Sequence, residues 1–282
     1  MAGRSPTVRR RRLANELRQL REAAGLTIEQ VATELDCSPS KVSRIETASV
    51  SPTPRDVRDI LHIYGVTGPQ LEELPQFARE ARQRGGLYAE YRDIRSTATV
   101  AELEVEAETI NEYSALLIPG VLQTADYARA VLRAIRVKPQ PEDIERRVEF
   151  RLARQARLTR EDPRALWVVL DEAALRRLVG GREVMRAQLE HLGEAAGWPS
   201  VTMQVLPFSA GAHAGMDGEF TIIRFREAAD PDVVYIENST RDLYLEDSDA
   251  IRRYILMFDH LRAAALDPVE SATFITNVAK EL

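Results

Sequence analysis

The 282-residue sequence contains very little cysteine and histidine. Its single cysteine, Cys37, cannot form a disulfide or a multi-cysteine metal site within the chain, and such usage is typical of a reducing compartment. Only four histidines occur, and no two have the spacing of a metal-binding pair. We therefore predict no metal ion and no cofactor.

Long apolar runs are also absent. No stretch of eighteen apolar residues occurs, so we predict no membrane span. The arginine-rich start is followed by a charged amphipathic pattern rather than by the apolar core of a signal peptide, and we expect a cytoplasmic protein. A composition of 44% hydrophobic and 29% charged residues excludes a disordered chain, and the length allows two domains.

One stretch near the N-terminus has the pattern of two short helices joined by a tight turn. Thr27 and Gln30 have the spacing of a capping box, which predicts the start of the first helix. Asp36 tolerates the left-handed backbone conformation, so the chain can turn sharply there. Ser38 followed by Pro39 predicts the start of the second helix.

The second helix separates an apolar face, with Val42 and Ile45 three residues apart, from a polar face of hydroxyls and cations. The polar face suits the major groove of DNA, because lysine attracts phosphate and the arginine fork fits guanine. An ordinary helical hairpin with a polar outer face would show the same pattern. The candidate DNA-binding residues are Ser38, Pro39, Ser40, Lys41, Ser43 and Arg44, with Arg9 and Arg10 as candidate phosphate contacts.

Charge is distributed unevenly along the chain. The first 65 residues hold 11 Lys/Arg against 8 Asp/Glu, a charge of +3, and the remaining 217 hold 27 against 36, a charge of −9. The total of −6 argues weakly against a nucleic-acid partner, but positive charge lies where the helical hairpin is. The distribution therefore favours DNA contact by the N-terminal part.

The residues around the hairpin resemble the Cro/C1-type (XRE) helix-turn-helix family of bacterial regulators. The resemblance covers roughly residues 13–74 and is carried by Leu17-Arg18-Gln19-Leu20-Arg21, Gly25-Leu26-Thr27 and the segment from Ser38 to Glu46. Asp36 and Ile28 depart from the family, which usually has a glycine and a polar residue there. The resemblance implies that Pro39, Ser40 and Arg44 face bases and that the other candidates of the second helix lie near the DNA backbone.

Helix signals continue to a pair of glycines, Gly85 and Gly86, which we take as the domain boundary. The sequence predicts a flexible arm over residues 1–8 and a helix opening at Arg9. We predict an all-α, five-helix domain at 9–84, a connector at 85–95 and a second domain at 96–282.

The second domain shows helical and strand patterns in alternation. Val100, Leu103, Ala107 and Ile110 have helical spacing. The fold class is therefore predicted to be α+β, with helices packed on a small sheet of four or five strands. The predicted strands are Trp167–Leu170, Val201–Leu206, Phe220–Phe225 and Val233–Ile236, with Leu243–Leu245 as a continuation of the last.

A glycine-rich loop, Ser209–Gly218, connects two of these strands. Its His213 and Asp217 have side chains that act as acid and base or bind metals elsewhere. A glycine-rich connection between strands also needs no ligand, and we assign no catalytic residue. The possible ligand or partner contacts are Gly211, His213, Gly215 and Asp217.

From about Ile94 the chain resembles the C-terminal domain of unknown function found in actinobacterial regulators such as the whi-type sporulation regulators. The motifs are Leu117-Ile118-Pro119-Gly120-Val121-Leu122-Gln123-Thr124, Glu145-Arg146-Arg147-Val148, Val205-Leu206-Pro207-Phe208, Gly211 to Gly218 and Arg241-Asp242-Leu243-Tyr244-Leu245. The resemblance implies a transcription regulator that is commonly paired with a small, separately encoded protein.

The sequence is compatible with three functions. The first is a sequence-specific transcription regulator that binds a double-stranded DNA operator as a homodimer, associates with the nucleoid, and uses its C-terminal domain to bind a small cognate protein or a ligand. The second is an antitoxin-like repressor that neutralises a small protein. The third, an enzyme fused to a helix-turn-helix, lacks a convergent nucleophile, base and oxyanion site, and we expect no enzymatic activity.

Overall fold

The structure, a computed structural model, describes residues 6–81, 91, 94–136, 138, 140–159, 163–226, 230–238 and 242–282. Its contacts divide the chain into two units. The first holds Met1–Glu106 with Arg226–Pro231, and the second holds Ala107–Phe225 with Asp232–Leu282. Both predicted boundary glycines, and most of the predicted connector 85–95, lie outside the described residues.

The first unit contains the five predicted helices and one more. The arm predicted for residues 1–8 is too long, because residues 6–8 are already helical. Pro6 lies at the first helical position, where proline is favourable, so the first helix starts before Arg9. The helices are α1 (Pro6–Ala23), α2 (Ile28–Glu34), α3 (Pro39–Glu46), α4 (Pro54–Ile63), α5 (Gln70–Ala81) and α6 (Arg95–Glu106).

The predicted helix starts around the turn are confirmed. The Thr27 hydroxyl accepts a hydrogen bond from the Gln30 amide at 3.2 Å, and the Gln30 side chain accepts one from the Thr27 amide at 2.8 Å. Ser38 caps α3 by accepting from the Lys41 amide at 3.3 Å. Asp36 has a φ of 49°, so the turn between α2 and α3 uses the left-handed conformation.

The core of the first unit fixes the orientation of α3. Val42 and Ile45 are 1% and 2% exposed, which confirms that they point inward. They pack in one cluster with apolar residues of the neighbouring helices. Because these side chains are three apart, the opposite face of α3 is turned outward. The other members of the cluster are Leu13, Leu17, Val31, Ala32, Val57, Ile60, Leu61, Tyr64, Leu74 and Ala78.

The second unit is built on a mixed sheet of six strands rather than four or five. The strands are β1 (Thr109–Ser114), β2 (Ala165–Asp171), β3 (Val201–Leu206), β4 (Phe220–Arg224), β5 (Val233–Ile236) and β6 (Leu243–Leu245). They lie in the order β3-β2-β1-β4-β5-β6. The pairs β3-β2 and β2-β1 are parallel, and the pairs β1-β4, β4-β5 and β5-β6 are antiparallel.

The strand missing from the sequence prediction is the central one, β1. The spacing of Ala107 and Ile110 continues the helical pattern of α6, so a helix was predicted through Ile110. The helix instead ends at Glu106, and Ile110 pairs with Leu166 of β2 and Ile223 of β4. Polar residues fill much of this strand, and its pairing partners lie far away in the sequence, so no local signal identifies it.

Helices complete the second unit. The helix Ser248–Ala264 packs on the sheet through Ile251, Phe258 and Leu261, which lie in one cluster with Tyr113 and Phe220. Among the described residues, no helix has the length and apolarity needed to cross a membrane. The helices are α7 (Ala125–Ile135), α8 (Pro141–Gln155), α9 (Glu172–Arg176), α10 (Arg182–Ala195), α11 (Ser248–Ala264) and α12 (Pro268–Glu281).

Candidate functional site

The first candidate site is the outer face of α3. The six candidate residues of this helix and its cap lie together, with Ser38, Pro39, Ser40 and Arg44 exposed and the other two half-buried. The Arg44 Nε atom donates to the Ser40 carbonyl at 3.2 Å. In the described part of the chain, no carboxylate forms an ion pair with Arg44. Its terminal guanidinium nitrogens are therefore available to a base or a phosphate.

Lys41 has a partner inside the first unit. Its Nζ lies 2.8 Å from Oδ1 of Asp56, and its side chain is 44% exposed. The hydrogen bond to Asp56 raises the pKa of Lys41 above its ordinary value. Burial alone would raise the pKa of Asp56, but hydrogen bonds from Lys41 and Thr53 outweigh it and hold that pKa low. A phosphate bound to Lys41 would therefore share the ammonium with Asp56.

A buried ion pair holds α3 against its neighbours. Arg21 of α1 donates to both carboxylate oxygens of Glu46, at 2.7 and 3.0 Å, and to the Leu26 carbonyl at 2.8 Å. The Tyr64 hydroxyl donates to the same carboxylate at 3.4 Å. Burial, and then the negative charge of Glu46, raises the pKa of Tyr64. Glu46 therefore ties the end of α3 to α1 and to the end of α4.

The other candidate phosphate contacts are arginines of α1. The side chain of Arg9 lies outside the described residues. Arg10 is half-buried, and burial lowers its pKa although the charge of Glu102 acts in the opposite direction. Arg11 is 7% exposed and donates to the Pro231 carbonyl at 3.1 Å. Phosphate contact by Arg9 and Arg10 stays a prediction.

The second candidate site surrounds the loop Ser209–Gly218. His213 does not face Asp217: its Nε2 lies 3.6 Å from Oδ2 of Asp171, the last residue of β2. The amide of Gly215 donates to Nδ1 of His213 at 3.2 Å. Because Nδ1 accepts, the neutral ring carries its proton on Nε2, on the side of Asp171.

Tyr113 of β1 completes this group. Its ring meets the His213 ring edge-on, with the two ring centroids 5.9 Å apart. Burial, and then the charge of Asp171, raises the pKa of Tyr113. Gly215 packs on the same ring so closely that a Cβ would lie 2.4 Å from Tyr113 Cε1. Packing against Tyr113 alone therefore requires a glycine at this position, independently of any ligand.

These residues line a cavity of about 1050 Å³. It lies where β1 and β2 end, where β4 begins and where α11 passes the sheet. Ligands of open sheets commonly bind at the carboxyl ends of parallel strands. Of the loop candidates, His213, Gly215 and Asp217 line the cavity, and Gly211, with a φ of 66°, does not. The carboxylates that line the cavity are those of Asp171, Asp217, Glu219, Glu237 and Asp249.

Comparison with protein families assigns both units. A model described as a helix-turn-helix domain matches residues 12–74. A second model, a domain of unknown function (DUF5753), matches residues 97–277, more than half of the chain. The chain belongs to the DUF5753 family. No curated protein and no solved structure matches it. A helix-turn-helix domain is a DNA-binding module, so the DUF5753 protein has the architecture of a DNA-binding regulator.

The cavity of the DUF5753 domain brings together an imidazole, carboxylates and a phenol hydroxyl. Asp171 orients His213, but the hydroxyl beside them belongs to Tyr113, whose raised pKa makes it a poor nucleophile at neutral pH. Within the described ranges, no three His, Cys, Asp or Glu side chains are grouped to hold a metal ion. Of the five cavity carboxylates only Asp217 was predicted from the sequence, because the other four come from separate elements and form no motif.

Proposed function

We propose that the protein is a sequence-specific transcription regulator of the Cro/C1 (XRE) type, similar to the whi-type actinobacterial regulators, and that it works in the cytoplasm on the nucleoid. The observation that supports this most is the outer face of α3. A capped helix, fixed from behind by Val42 and Ile45, presents short hydroxyls and Arg44, which forms no ion pair within the described residues. In this proposal α3 lies in the major groove of a double-stranded operator.

Arg44 and Lys41 are expected to have different roles, which binding measurements can separate. Replacing Arg44 with alanine should cost about 1–3 kcal/mol on the operator and little on random duplex, because it removes a base contact. Replacing Lys41 with alanine should weaken both complexes and lower the salt dependence by about one counterion. The measurement is fluorescence anisotropy over a range of salt, on an operator identified by genome-wide mapping.

Arg79→Ala is the matched control, since it removes one exposed cation of α5 in the same unit. It should leave affinity for the operator nearly unchanged. Equal losses for Arg44→Ala and Lys41→Ala on both duplexes would contradict the assigned roles.

The regulator is also proposed to bind as a homodimer. One recognition helix covers only a few base pairs, and two helices about 34 Å apart reach successive major grooves on one face of the duplex. The apolar stripes of α11 and α12 are largely buried within their own unit, so they support this proposal less than the DNA geometry does. Sedimentation of the full chain at micromolar concentration should give a dimer, and footprinting should show two half-sites. A monomer that protects a single half-site would contradict the proposal.

The second unit is proposed to be regulatory and not enzymatic, binding a small cognate protein or a ligand. Support comes from its cavity, which combines five carboxylates with exposed apolar side chains and has no activated nucleophile in the described residues.

A further inference from the structure

The cavity of the second unit has the size of a small-molecule site. Its volume of about 1050 Å³ lies at the upper end of the range for such sites, roughly 300–1,000 Å³. Asp171 and His213 lie deep in the wall, with side chains only 15% and 13% exposed. Their mutual contact and the Tyr113 hydroxyl give this end of the cavity fixed polar groups.

The charge of the cavity is strongly negative. Five carboxylates line it, against one arginine, Arg253, and the imidazole of His213. With His213 neutral, the lining carries a net charge of −4. Like charges gathered in one cavity repel each other, and a bound cation relieves that repulsion.

Three of the carboxylates are already bonded within the protein. Asp171 caps α9 by accepting from the Ala173 amide at 2.8 Å. Glu219 accepts from the amides of Ala115 and Leu116, at 2.8 and 2.6 Å. Asp249 forms an ion pair with Arg252.

Asp217 and Glu237 differ from the other three. Within the described part of the unit, neither forms a hydrogen bond or an ion pair. Burial, and then the nearby charge of Asp242, raises the pKa of Glu237. These are the two cavity carboxylates for which the described residues provide no hydrogen bond or ion pair, although the positive charges of Arg151 and Arg154 also act on Glu237.

Apolar side chains lie beside these charges. Leu116 and Met216 line the cavity and are 56% and 71% exposed, which is high for side chains of this type. Met257 and Tyr254 of α11 line it as well, and the Tyr254 ring packs on Phe220 at 4.9 Å. Methionine adapts to ligands of different shape, so this wall suits an apolar group.

A metal ion fits these features poorly, since no described group of three ligating side chains exists and much of the wall is apolar. We propose that the cavity binds a small organic amine, whose ammonium group pairs with Asp217 and Glu237 and whose apolar part covers Leu116 and Met216. The inference rests on the proposed regulatory role of this unit and gives that role a ligand class.

Titration calorimetry on the full chain tests the proposal with tryptamine, phenethylamine, agmatine and spermidine as probes. Two tryptamine analogues without the ammonium group, tryptophol and indole-3-propionate, test the charge requirement. At least one amine should bind, and tryptophol and indole-3-propionate should bind about tenfold more weakly than tryptamine or worse. Asp217→Asn and Glu237→Gln should each weaken amine binding by about tenfold.

Glu190→Gln is the matched control, because it removes an exposed carboxylate of α10 that does not line the cavity. It should bind amines like the unsubstituted protein, and thermal unfolding should show that all three variants are folded. The proposal is overturned if none of the four amines binds at about 1 mM, if tryptamine and tryptophol bind equally, or if Glu190→Gln loses as much affinity as Glu237→Gln. It is also overturned if a basic peptide binds and the amines do not.

Anisotropy on the operator separates this inference from the proposed function. Amine binding by a protein that never binds DNA supports the ligand site and contradicts the regulator. Operator binding by a protein that binds none of the four amines supports the regulator and contradicts the ligand site.

Discussion

Replacing Ile45 with alanine is expected to lower the free energy of unfolding of the first unit by about 2–5 kcal/mol. Ile45 is 2% exposed and lies in the core cluster behind α3, so truncation leaves a cavity that the surrounding helices fill only partly. A loss of this size is a large fraction of the stability of a small domain. DNA binding should be lost because α3 is no longer held in place.

The two units can be followed separately in this experiment. Both tryptophans, Trp167 and Trp198, belong to the second unit, so their fluorescence reports its unfolding, and far-UV circular dichroism reports helices in both. Ile45→Ala should lower the midpoint temperature of part of the dichroism transition and leave the midpoint of the fluorescence transition unchanged. Val50→Ala, which truncates a side chain that is 39% exposed, is the control and should change little. Unchanged melting together with lost DNA binding would place Ile45 at the DNA surface instead.

Replacing Arg21 with leucine is expected to cost about 3–5 kcal/mol, because it leaves the Glu46 carboxylate buried without its partner. The side chains of Arg21 and Glu46 are only 11% and 5% exposed, so solvent cannot compensate for the lost pair. Urea denaturation followed by circular dichroism measures the loss.

The comparison for this pair is Arg18→Leu. Arg18 and Glu22 form a pair on the same helix whose side chains are 61% and 51% exposed, and losing it should cost far less than losing the buried pair, because water screens the two charges. A double variant, Arg21→Leu with Glu46→Leu, should recover part of the stability, although Tyr64 then loses its acceptor. If Arg21→Leu and Arg18→Leu were equally mild, the pair would not hold α3.

The sequence predicted the helical hairpin well because its signals are local. Thr27, Asp36 and Ser38 act on amides or dihedral angles within a few residues, and Val42 and Ile45 mark the inner face of α3 by their spacing alone. The partners of Lys41 and Arg21 lie 15 and 25 residues away, and no spacing rule identifies them.

The second unit was predicted less completely for the same physical reason. Strands β3 and β5 were predicted with the observed bounds, since β3 shows the alternation of a strand and β5 is a short run of apolar, β-branched and aromatic residues. Strand β1 and the cavity depend on pairing across long distances. His213 was recognised as a candidate, but its contact with Asp171 follows only from the folded sheet.

The order of the strands has a consequence for synthesis. Strand β1 leaves the ribosome early, yet its neighbours form later: Thr109 pairs with Ala165 on one side and with Arg224 on the other. A chain that stops before β4 therefore carries the helix-turn-helix together with a central strand whose edge is open, and open edges promote aggregation. Premature termination in that region should yield insoluble protein rather than a free DNA-binding fragment.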